Sequence, residues 1–293
     1  GGSTTVSGSD INGFTNLVGS ETLAASGSGS VSSANVGSGK SVTLGSIALS
    51  NGTGSASNYS LSSATFEINQ RPLTLAGSKI YDGATTIQGS DISTFTNIVG
   101  SETLVVSGSG SVSSANVGSG KTVTTGSLSL ANNTGLASNY SIDSISANIA
   151  QRPVNLSGSR TYDATRTANG SDLSLANVVT GETLTMSGSG VLGSPAAGTQ
   201  TIVNTNTLAL ADGSGSASNY SLVGGTLTMT ILPRSTSVTG SRSYDGTQTI
   251  NPSDLTIFSN LAGSDSLSFT GSGTVASANV GSSKAVTLGS LAL

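Results

Sequence analysis

Residues 89–121 read GSDISTFTNIVGSETLVVSGSGSVSSANVGSGK, and motifs in and around this stretch return along the chain at a nearly fixed distance. The Ser-Asp-Ile/Leu step returns after 81, 81 and 82 residues, at Asp10, Asp91, Asp172 and Asp254. An Asn-Tyr-Ser step and a Tyr-Asp pair keep nearly the same period, at Asn58, Asn139 and Asn219 and at Tyr81, Tyr162 and Tyr244. A long fixed period of this kind is the sequence signature of a tandem-repeat architecture.

A step that combines proline with arginine marks the junctions between repeats, at Arg71-Pro72, Arg152-Pro153 and Pro233-Arg234. Proline cannot donate a hydrogen bond to a β-ladder, so it suits the seam between two β domains. The junctions predict two whole repeats, 72–152 and 153–233. A partial repeat at 1–71 is expected to lack its N-terminal strand, and a partial repeat at 234–293 its C-terminal strand. The short spacing at each seam favours a fairly stiff, end-to-end arrangement.

Both ends of the sequence fall inside a repeat. Gly2 corresponds to Gly83 at an offset of 81 residues, and Leu293 corresponds to Leu130 at an offset of 163. We therefore expect the chain to be a segment of a longer polypeptide. An unfinished domain exposes a sheet edge that invites pairing. Linkage between chains by a donated strand is the alternative to simple truncation.

The composition indicates thin β domains with small cores. Charged residues make up 8% of the chain and aromatic residues 4%, and small polar residues fill the difference. Disordered chains combine high net charge with few β-branched residues. Here the net charge is only −4, and Val, Ile, Thr and Leu alternate with small polar residues. A repeat of about 80 residues is long enough to fold alone, though marginally.

The composition also excludes several classes of function. The chain has no Cys and no His, which removes a disulfide framework and thiolate–metal chemistry. Ten Lys and Arg against fourteen Asp and Glu argue against nucleic-acid binding, which needs a basic stripe. No apolar run reaches the ~18 residues of a membrane span.

Within the repeat 72–152, short alternating segments between glycine-rich turns predict strands over 72–76 with 79–81, 103–106, 121–130 and 140–149. Asp82-Gly83 predicts a β-turn, Gly108-Ser-Gly110 a bulge or kink, and Gly118-Ser-Gly120 a further turn. One or two helical turns are expected after the capping residues Ser90 and Asp91. The apolar residues that suggest this helix follow at helical spacing, at Ile92, Phe95, Ile98 and Val99.

The predicted fold class is mainly β. We expect a tandem array of small β-sandwich or β-grasp-like domains of about 81 residues, each with at most one short helical turn. A β-solenoid is the competing architecture. It would show internal periods of about 20–30 residues, and no such period is found inside a repeat.

Several motifs together resemble a known family of repeats. These are Tyr-Asp-Gly at Tyr81 and Tyr244, Gly-Ser-Glu-Thr-Leu at 100–104, Ala-Asn-Val-Gly-Ser-Gly-Lys at 115–121, and Asn-Tyr-Ser at Asn139. In this order and spacing they resemble the YDG/MBG-type repeats of very large bacterial surface and secreted proteins, including filamentous-haemagglutinin-like adhesins. The resemblance covers the whole chain and implies a mainly β, stalk-forming domain without catalysis. The third repeat departs from it, with Ala164 in place of the Gly and Ser194-Pro-Ala-Ala-Gly198 in place of Ala-Asn-Val-Gly.

We assign no catalytic, cofactor-binding or metal-binding residue and predict that the chain is not an enzyme. Without His or Cys, a general base would have to be Asp, Glu, Lys or Tyr. The repeated acids are Asp91 and Glu102, their counterparts Asp172 and Glu182, and Asp82 of the Tyr-Asp pair. Asp91 is interpreted as a helix cap and Asp82 as a turn residue. Calcium at the junctions stays an alternative, although the acids lack the dense spacing of a calcium loop.

The repeated lysines and asparagines have structural interpretations as well. Lys40, Lys121 and Lys284 share one position, and Glu21, Glu102 and Asp265 share another, which predicts a solvated cross-strand ion pair. A Lys–Asn isopeptide bond is the alternative, and it could not be general because the third repeat has Thr199-Gln200 in this region. The Asn-Tyr-Ser steps, Asn51-Gly-Thr53 and Asn169-Gly-Ser171 match the N-glycosylation sequon. In the structural interpretation, the Asn ends a loop, and the Tyr opens the final strand with its hydroxyl in solvent.

Two classes of function remain. The first is a structural stalk or filament segment of a large extracellular bacterial adhesin or biofilm matrix protein, in which the partners are neighbouring repeats packed end to end. The second is a multivalent module in which each repeat binds a cell-surface glycan, a matrix component or a protein, so that repetition supplies avidity. Self-assembly into a homo-oligomer or filament through exposed strand edges is a further alternative. Buried Tyr and Ile with Asp and Asn in turns would favour the stalk, whereas Tyr, Asp and Lys gathered on an open face would favour binding.

Overall fold

The structure, a computed structural model, describes residues 2–293 and consists of short β-strands and single 3-10 turns. The chain divides into two compact units, Gly1–Gln151 and Arg152–Leu293. The prediction of a mainly β tandem repeat is confirmed. Each whole repeat contains two 3-10 turns where the sequence predicted at most one helical turn.

The first unit contains fourteen strands in chain order. Those of the first repeat are β1 Thr5–Ser7, β2 Leu23–Ser26, β3 Ser28–Val31, β4 Gly37–Thr43, β5 Ala48–Asn51 and β6 Thr65–Ile68. Those of the second are β7 Arg71–Ile80, β8 Thr86–Gln88, β9 Ile92–Thr96, β10 Leu104–Ser107, β11 Ser109–Ser111, β12 Gly118–Thr122, β13 Ser129–Asn132 and β14 Tyr140–Ala150. The 3-10 turns of this unit are η1 Gly8–Asp10, η2 Ala56–Asn58, η3 Gly89–Asp91 and η4 Ala137–Asn139.

The second unit repeats this order of elements. Its third-repeat strands are β15 Arg152–Pro153, β16 Asn155–Thr161, β17 Thr167–Asn169, β18 Leu173–Ala176, β19 Leu184–Ser187, β20 Ser189–Leu192, β21 Gly198–Asn204, β22 Ala209–Asp212, β23 Tyr220–Ser221 and β24 Thr228–Leu232. The fourth repeat adds β25 Ser237–Gly240, β26 Thr249–Ile250, β27 Leu255–Ser259, β28 Gly273–Val275 and β29 Val286–Thr287. The 3-10 turns are η5 Gly170–Asp172, η6 Ala217–Asn219 and η7 Pro252–Asp254.

A mixed four-stranded sheet in the order β12-β14-β7-β9 forms the centre of the second repeat. Its two middle strands are the first and last of the repeat, and they pair in parallel along their length, with Leu75 opposite Ile145. Strands β9 and β12 flank them in antiparallel fashion. The third repeat builds the same order from β21, β24, β16 and β18, again with its first and last long strands parallel. A central parallel pair differs from an all-antiparallel sandwich and favours the β-grasp-like alternative.

Two small antiparallel sheets, β8-β11 and β10-β13, complete the second repeat. The side chains between these sheets and the central one make a narrow apolar core, in which Leu73, Leu75 and Ile87 are fully buried. The third repeat has an equivalent core around Leu192 and Met229. Antiparallel pairs and a parallel pair that spans a whole repeat do not match the coil-on-coil stacking of a β-solenoid. That alternative is therefore wrong for residues 2–293.

The helix predicted after Ser90 and Asp91 is wrong. The 3-10 turn η3 ends at Asp91, and the following residues form β9, which pairs with β7. A register shift in this ladder places both Ile92 and Phe95 toward the core although they are three residues apart. A β-bulge therefore produced the spacing that suggested a helix.

The long strand predicted over 121–130 is also divided in the structure. Strand β12 ends at Thr122 and β13 begins at Ser129. Between them Gly126 takes a positive φ of 56°, and the Leu128 amide donates to the Thr125 carbonyl, 2.9 Å away. The predicted turn at Gly118-Ser-Gly120 is instead a bulge inside the β12–β14 ladder. Val123 and Leu128 are buried as expected for the apolar members of this segment.

A left-handed backbone at one alanine has a measurable consequence. Ala164 has a φ of +65°, where Gly83 and Gly246 have +78° and +77° in the equivalent turns. A side chain in this conformation costs roughly 1–2 kcal/mol, part of which the entropy of a glycine offsets. We expect Ala164→Gly to stabilise the third repeat by about 1 kcal/mol. Hydrogen exchange of the β16 amides under increasing urea would measure the change.

The reverse substitution in the second repeat is the control. Gly83→Ala should destabilise β7 and its neighbours by a similar amount and leave the β16 amides unchanged. Unaltered or faster exchange in β16 of Ala164→Gly would contradict the assignment of strain to this turn.

Candidate functional site

The Tyr-Asp loop, residues 79–84 and its counterparts 160–165 and 242–247, is organised by a base three residues before the aspartate. The Lys79 ammonium, almost buried, lies 2.7 Å from Asp82 Oδ1. It also donates to the carbonyls of Ala84 and Thr86, at 3.0 and 2.8 Å. Asp82 Oδ1 accepts the Ala84 amide at 2.9 Å, which closes a side-chain-to-backbone turn. The aspartate of the motif therefore holds the backbone of its own loop, as the sequence predicted.

Arginine takes the place of this lysine in the later repeats. Arg160 pairs with Asp163 and donates to the Thr165 carbonyl at 2.7 Å. Arg242 lies 3.1 Å from Asp245 and donates to the Thr247 carbonyl at 2.6 Å. The loop keeps its geometry in each case because the cation bonds backbone carbonyls that do not depend on the neighbouring side chains.

The aspartates of these loops have lowered pKa values. Partial burial opposes ionisation of Asp82, but the Lys79 ammonium and the Ala84 amide outweigh it and bring the pKa below its usual 3.8. Burial likewise opposes ionisation of Asp163, and the bonds from Thr165 and Arg160 outweigh it. At Asp245 the backbone amide of Thr247 is the main cause of the lowered pKa. The perturbed carboxylates are thus explained by loop structure alone.

A tyrosine–glutamate pair recurs in the first three repeats, at the tyrosine of each Asn-Tyr-Ser step. Tyr140 donates its hydroxyl proton to Glu102 Oε2 at 2.6 Å, and its oxygen accepts the Val99 amide at 3.3 Å. Tyr220 does the same with Glu182 at 2.7 Å, and Tyr59 with Glu21. The expectation that these hydroxyls lie in solvent is wrong. Tyr140 and Tyr220 are only 4% and 2% exposed, and a buried hydroxyl requires a partner.

The environment of these pairs raises the pKa of the tyrosines. Desolvation is the larger cause for Tyr140, and the hydrogen bond to Glu102 is the next. The glutamate itself packs on a glycine, since a Cβ atom at Gly135 would lie 2.8 Å from Glu102 Oε2. The Asn-Tyr-Ser and Gly-Ser-Glu-Thr-Leu motifs therefore meet in space and form one structural unit.

An arginine–asparagine clamp fixes the start of three repeats, and the sequence reasoning missed it. Arg71 Nε donates to the Asn97 carbonyl and its Nη2 to Asn97 Oδ1, both at 2.6 Å. The Asn97 amide group donates back to the Pro72 carbonyl at 2.9 Å. The same bonds join Arg152 to Asn177 and Arg234 to Asn260. The regular arginine-to-asparagine separation of 26, 25 and 26 residues is the signal that could have revealed it.

Each asparagine of the clamp has a positive φ, between 59° and 75°. Asparagine tolerates this conformation better than most residues because its side chain can hydrogen-bond locally. The clamp also explains why the reversed Pro233-Arg234 step preserves the seam. The Asn260 amide group then donates to the Ser235 carbonyl, one residue after the arginine as before.

The repeated lysines bind backbone rather than carboxylates. Lys40 Nζ donates to the Ser33 carbonyl at 3.3 Å, while Glu21 accepts from Tyr59. The predicted ion pair between these two positions is therefore wrong for Lys40 and Glu21. Lys121 donates in the same way to Ser114 at 3.3 Å. In the third repeat, Gln200 donates to the Ala196 carbonyl at 3.0 Å and takes over the role.

The remaining candidate side chains also have local partners. Asp91 Oδ2 accepts the Gln88 amide at 2.8 Å and caps η3, and Asn51 Oδ1 accepts the Ala56 amide at 2.8 Å. Asn169 donates to Asp172 at 3.3 Å. No group of three Asp or Glu side chains comes together within residues 2–293. Glycosylation of the sequons stays an alternative to this structural interpretation.

A cavity of about 340 Å³ lies in the second unit. Its lining includes Tyr162, Ala196, Arg234, Leu261 and Asp265. The hydrogen bond from Tyr162 to Asp265 is the main cause of a raised Tyr162 pKa. Arg234 is already engaged by Asn260 and by the Tyr162 carbonyl, so the cavity offers few uncommitted polar groups.

The YDG domain model matches the chain four times, over residues 1–66, 68–147, 148–230 and 226–293. The chain belongs to the YDG domain family. In this YDG chain, the loop that carries the family's Tyr-Asp step is held by the base–aspartate contacts described above. No curated protein and no solved structure matches the chain. Within the described residues, none of the helices has the length or the apolar character needed to cross a membrane.

The tyrosine–glutamate pair should contribute measurably to stability. Tyr140→Phe removes a buried hydrogen bond to a charged acceptor, and such bonds are worth roughly 1.5–3 kcal/mol. We expect the second repeat to lose about 2 kcal/mol, measured by hydrogen exchange of the β14 amides in urea. Glu102→Gln should cost less because it keeps an acceptor oxygen. Tyr244→Phe, at a 66% exposed tyrosine, is the control and should have no effect.

The lowered pKa of Asp82 predicts a pH dependence. A carboxylate whose pKa is lower in the folded state stabilises the fold above its unfolded pKa, and this contribution is lost as the pH falls through the folded value. Asp82→Asn should therefore increase exchange of the Ala84 amide at pH 7. The difference from the wild type should shrink as the pH is lowered below 3.8. A difference that persists at pH 2 would show that charge is not the cause.

Proposed function

We propose that this YDG chain is a structural spacer segment of a large extracellular bacterial surface or matrix protein. The proposal is supported most directly by the partners of the recurring polar residues, which lie within the fold. The tyrosines of the Asn-Tyr-Ser steps bond glutamates, the loop aspartates bond lysine or arginine, and the junction arginines bond asparagines. These are contacts within a fold, so these recurring polar residues already have structural partners.

Burial of the repeated side chains supports the same conclusion. Tyr81, Tyr140 and Tyr220 are at most 4% exposed, and Ile145 and Ile149 of β14 are buried in the core. Asp82 lies in a turn, and Asn97 and Asn177 lie in left-handed connections. This is the distribution expected of a scaffold, and it differs from that of a repeated binding surface. The partners that such a scaffold needs are the neighbouring repeats.

The same contacts support the proposal that the chain is not an enzyme. Each carboxylate and tyrosine with a shifted pKa has a structural partner that explains the shift. Perturbed groups in a catalytic site would instead converge on a cleft with a place for substrate. The resemblance to repeats of exported bacterial proteins supports an extracellular location.

A multivalent binding module is the competing proposal. Repetition would supply avidity only if each repeat carried the same site. The cavity of about 340 Å³ includes Ala196 and Ala197, which stand where the first two repeats have Asn and Val. Its lining is therefore not common to the repeats, and it does not favour multivalent binding of a glycan or protein.

Removal of one whole repeat tests the spacer proposal. Deletion of residues 72–152 joins Arg71 to Pro153 and so restores an Arg-Pro junction. In the full-length protein, a spacer should remain exported and shorten by roughly 35–40 Å, from strands of about ten residues at ~3.3 Å each. Electron microscopy of the purified fibre would measure the length, and external protease on intact cells would report exposure of the repeats.

Two results would contradict the proposal. A compact particle whose dimensions do not change on deletion would exclude a spacer. Protection from external protease in intact cells, but not in lysed cells, would exclude an extracellular location. Glycan binding that falls with the number of repeats would favour the binding module instead.

A further inference from the structure

The Asn-Tyr-Ser asparagine of the second repeat bonds a loop of the first repeat. Asn139 Oδ1 accepts the Val36 amide at 2.9 Å, and Asn139 Nδ2 donates to Asn35 Oδ1 at 3.0 Å. Nearby, Gln70 Nε2 donates to the Ser138 carbonyl at 3.1 Å. Two motifs that lie 104 residues apart in sequence therefore meet at the boundary between two repeats. We name residues 33–37 the junction loop and Asn139 the receiving asparagine.

Asn139 both accepts and donates a hydrogen bond in this contact. The asparagine side chain uses both its acceptor and its donor, one toward the backbone and one toward the side chain of the junction loop. A two-point contact of this kind fixes the orientation of the groups as well as their distance. The asparagine of the motif thus has a role that the glutamate-bound tyrosine beside it does not share.

Equivalent positions in other repeats differ in exposure. Asn58, the counterpart of Asn139 in the first repeat, is exposed, whereas Asn139 is half-buried. Val18 is 71% exposed, whereas its counterpart Val99 is half-buried. At the other side of the contact, Val280 is 89% exposed and its counterpart Val36 is half-buried. Asn139 and Val36, which the hydrogen bond joins, are thus less exposed than these counterparts.

We propose that this contact is the docking interface between the first and second repeats of the chain. Within the first unit, the first repeat presents the junction loop and the second repeat presents the receiving asparagine. The partner that either face fits is another repeat of the same kind. The interface fixes the orientation of one repeat on the next, and it does so whether or not the chain is an extracellular spacer.

The third repeat carries a weakened form of the junction loop. Ala196 and Ala197 stand where the first repeat has Asn35 and Val36, so the side-chain acceptor for a receiving asparagine is absent. The backbone of this loop retains its shape, since the Ala196 amide bonds Ser194 Oγ at 3.1 Å as the Asn35 amide bonds Ser33 Oγ. The third repeat therefore lacks the side-chain acceptor of the junction loop, and a junction formed through such a loop is expected to be looser.

Distance measurements between spin labels test the proposal on the full chain. The sequence has no cysteine, so Ser62→Cys and Thr125→Cys give one exposed label in each of the first two repeats. Double electron–electron resonance reports the distribution of their separation. With the interface intact we expect a single narrow distribution. Asn139→Ala should widen it by about twofold, because repeats joined by a small interface move relative to one another by default.

Matched variants separate the interface from general damage. Asn58→Ala changes the same motif position outside the contact between the first and second repeats, and it should leave the distribution unchanged. Asn35→Ala places at this position the residue that the third repeat has there. It should widen the distribution less than Asn139→Ala, because the Val36 amide still donates to Asn139 Oδ1. Asn139→Asp keeps the acceptor for Val36 and should likewise be intermediate. All variants should retain the wild-type thermal midpoint within each repeat.

Three results would overturn the proposal. An unchanged distribution in Asn139→Ala would show that the contact does not orient the repeats. Equal broadening in Asn58→Ala would assign the effect to the motif rather than to the interface. A distance that disappears on dilution with unlabelled chain would show that the interface forms between chains instead of within one.

Discussion

The parallel pairing of the first and last strand of a repeat is the constraint on which the remaining structure depends. In the second repeat these strands are β7 and β14, and the chain passes through six further strands before it returns to make the pair. The entropy cost of closing such a long connection grows only slowly with its length. Burial of Leu73, Leu75 and Ile145 along the pair stabilises it. Because the two strands run in the same direction, the chain enters a repeat at one end and leaves it at the other, which is what a linear array requires.

The few charged side chains are used to satisfy backbone groups. Lys79, Lys121 and Arg71 each donate to carbonyls in irregular segments, where no ladder supplies a partner. Buried or half-buried carbonyls and amides without partners cost free energy, and thin domains have many segments that lie outside their sheets. A single cation that bonds two carbonyls orders a loop with little apolar burial. This explains how a chain with 8% charged residues maintains defined loops around a small core.

The sequence predicted the repeat period, the mainly β class and the positions of β7, β10 and β14, because these depend on periodic patterns of apolar residues. It failed where the backbone departs from a regular ladder. The bulge in β9 imitated helical spacing at Ile92 and Phe95, and the left-handed Gly126 divided a strand that alternation alone would extend. It also missed the partners of polar residues. Arg71 and Asn97 are 26 residues apart, and only the return of β9 beside β7 brings them together.

The substitutions in the third repeat show which changes of side chain this fold tolerates. Gln200 replaces a lysine and still donates to a carbonyl of the same loop. Arg160 replaces Lys79 and keeps the bond to the carbonyl five residues later and the contact with the loop aspartate. In these cases the partner is backbone, which does not change when a side chain does, so any donor of suitable length suffices. Asn35 differs because its partner is the side chain of Asn139 in another repeat. By the proposed interface, a change there should alter the relation between the first two repeats and leave each of them folded. Variation within the array can therefore alter its junctions independently of the stability of its domains, as nearest-neighbour coupling in a repeat protein permits.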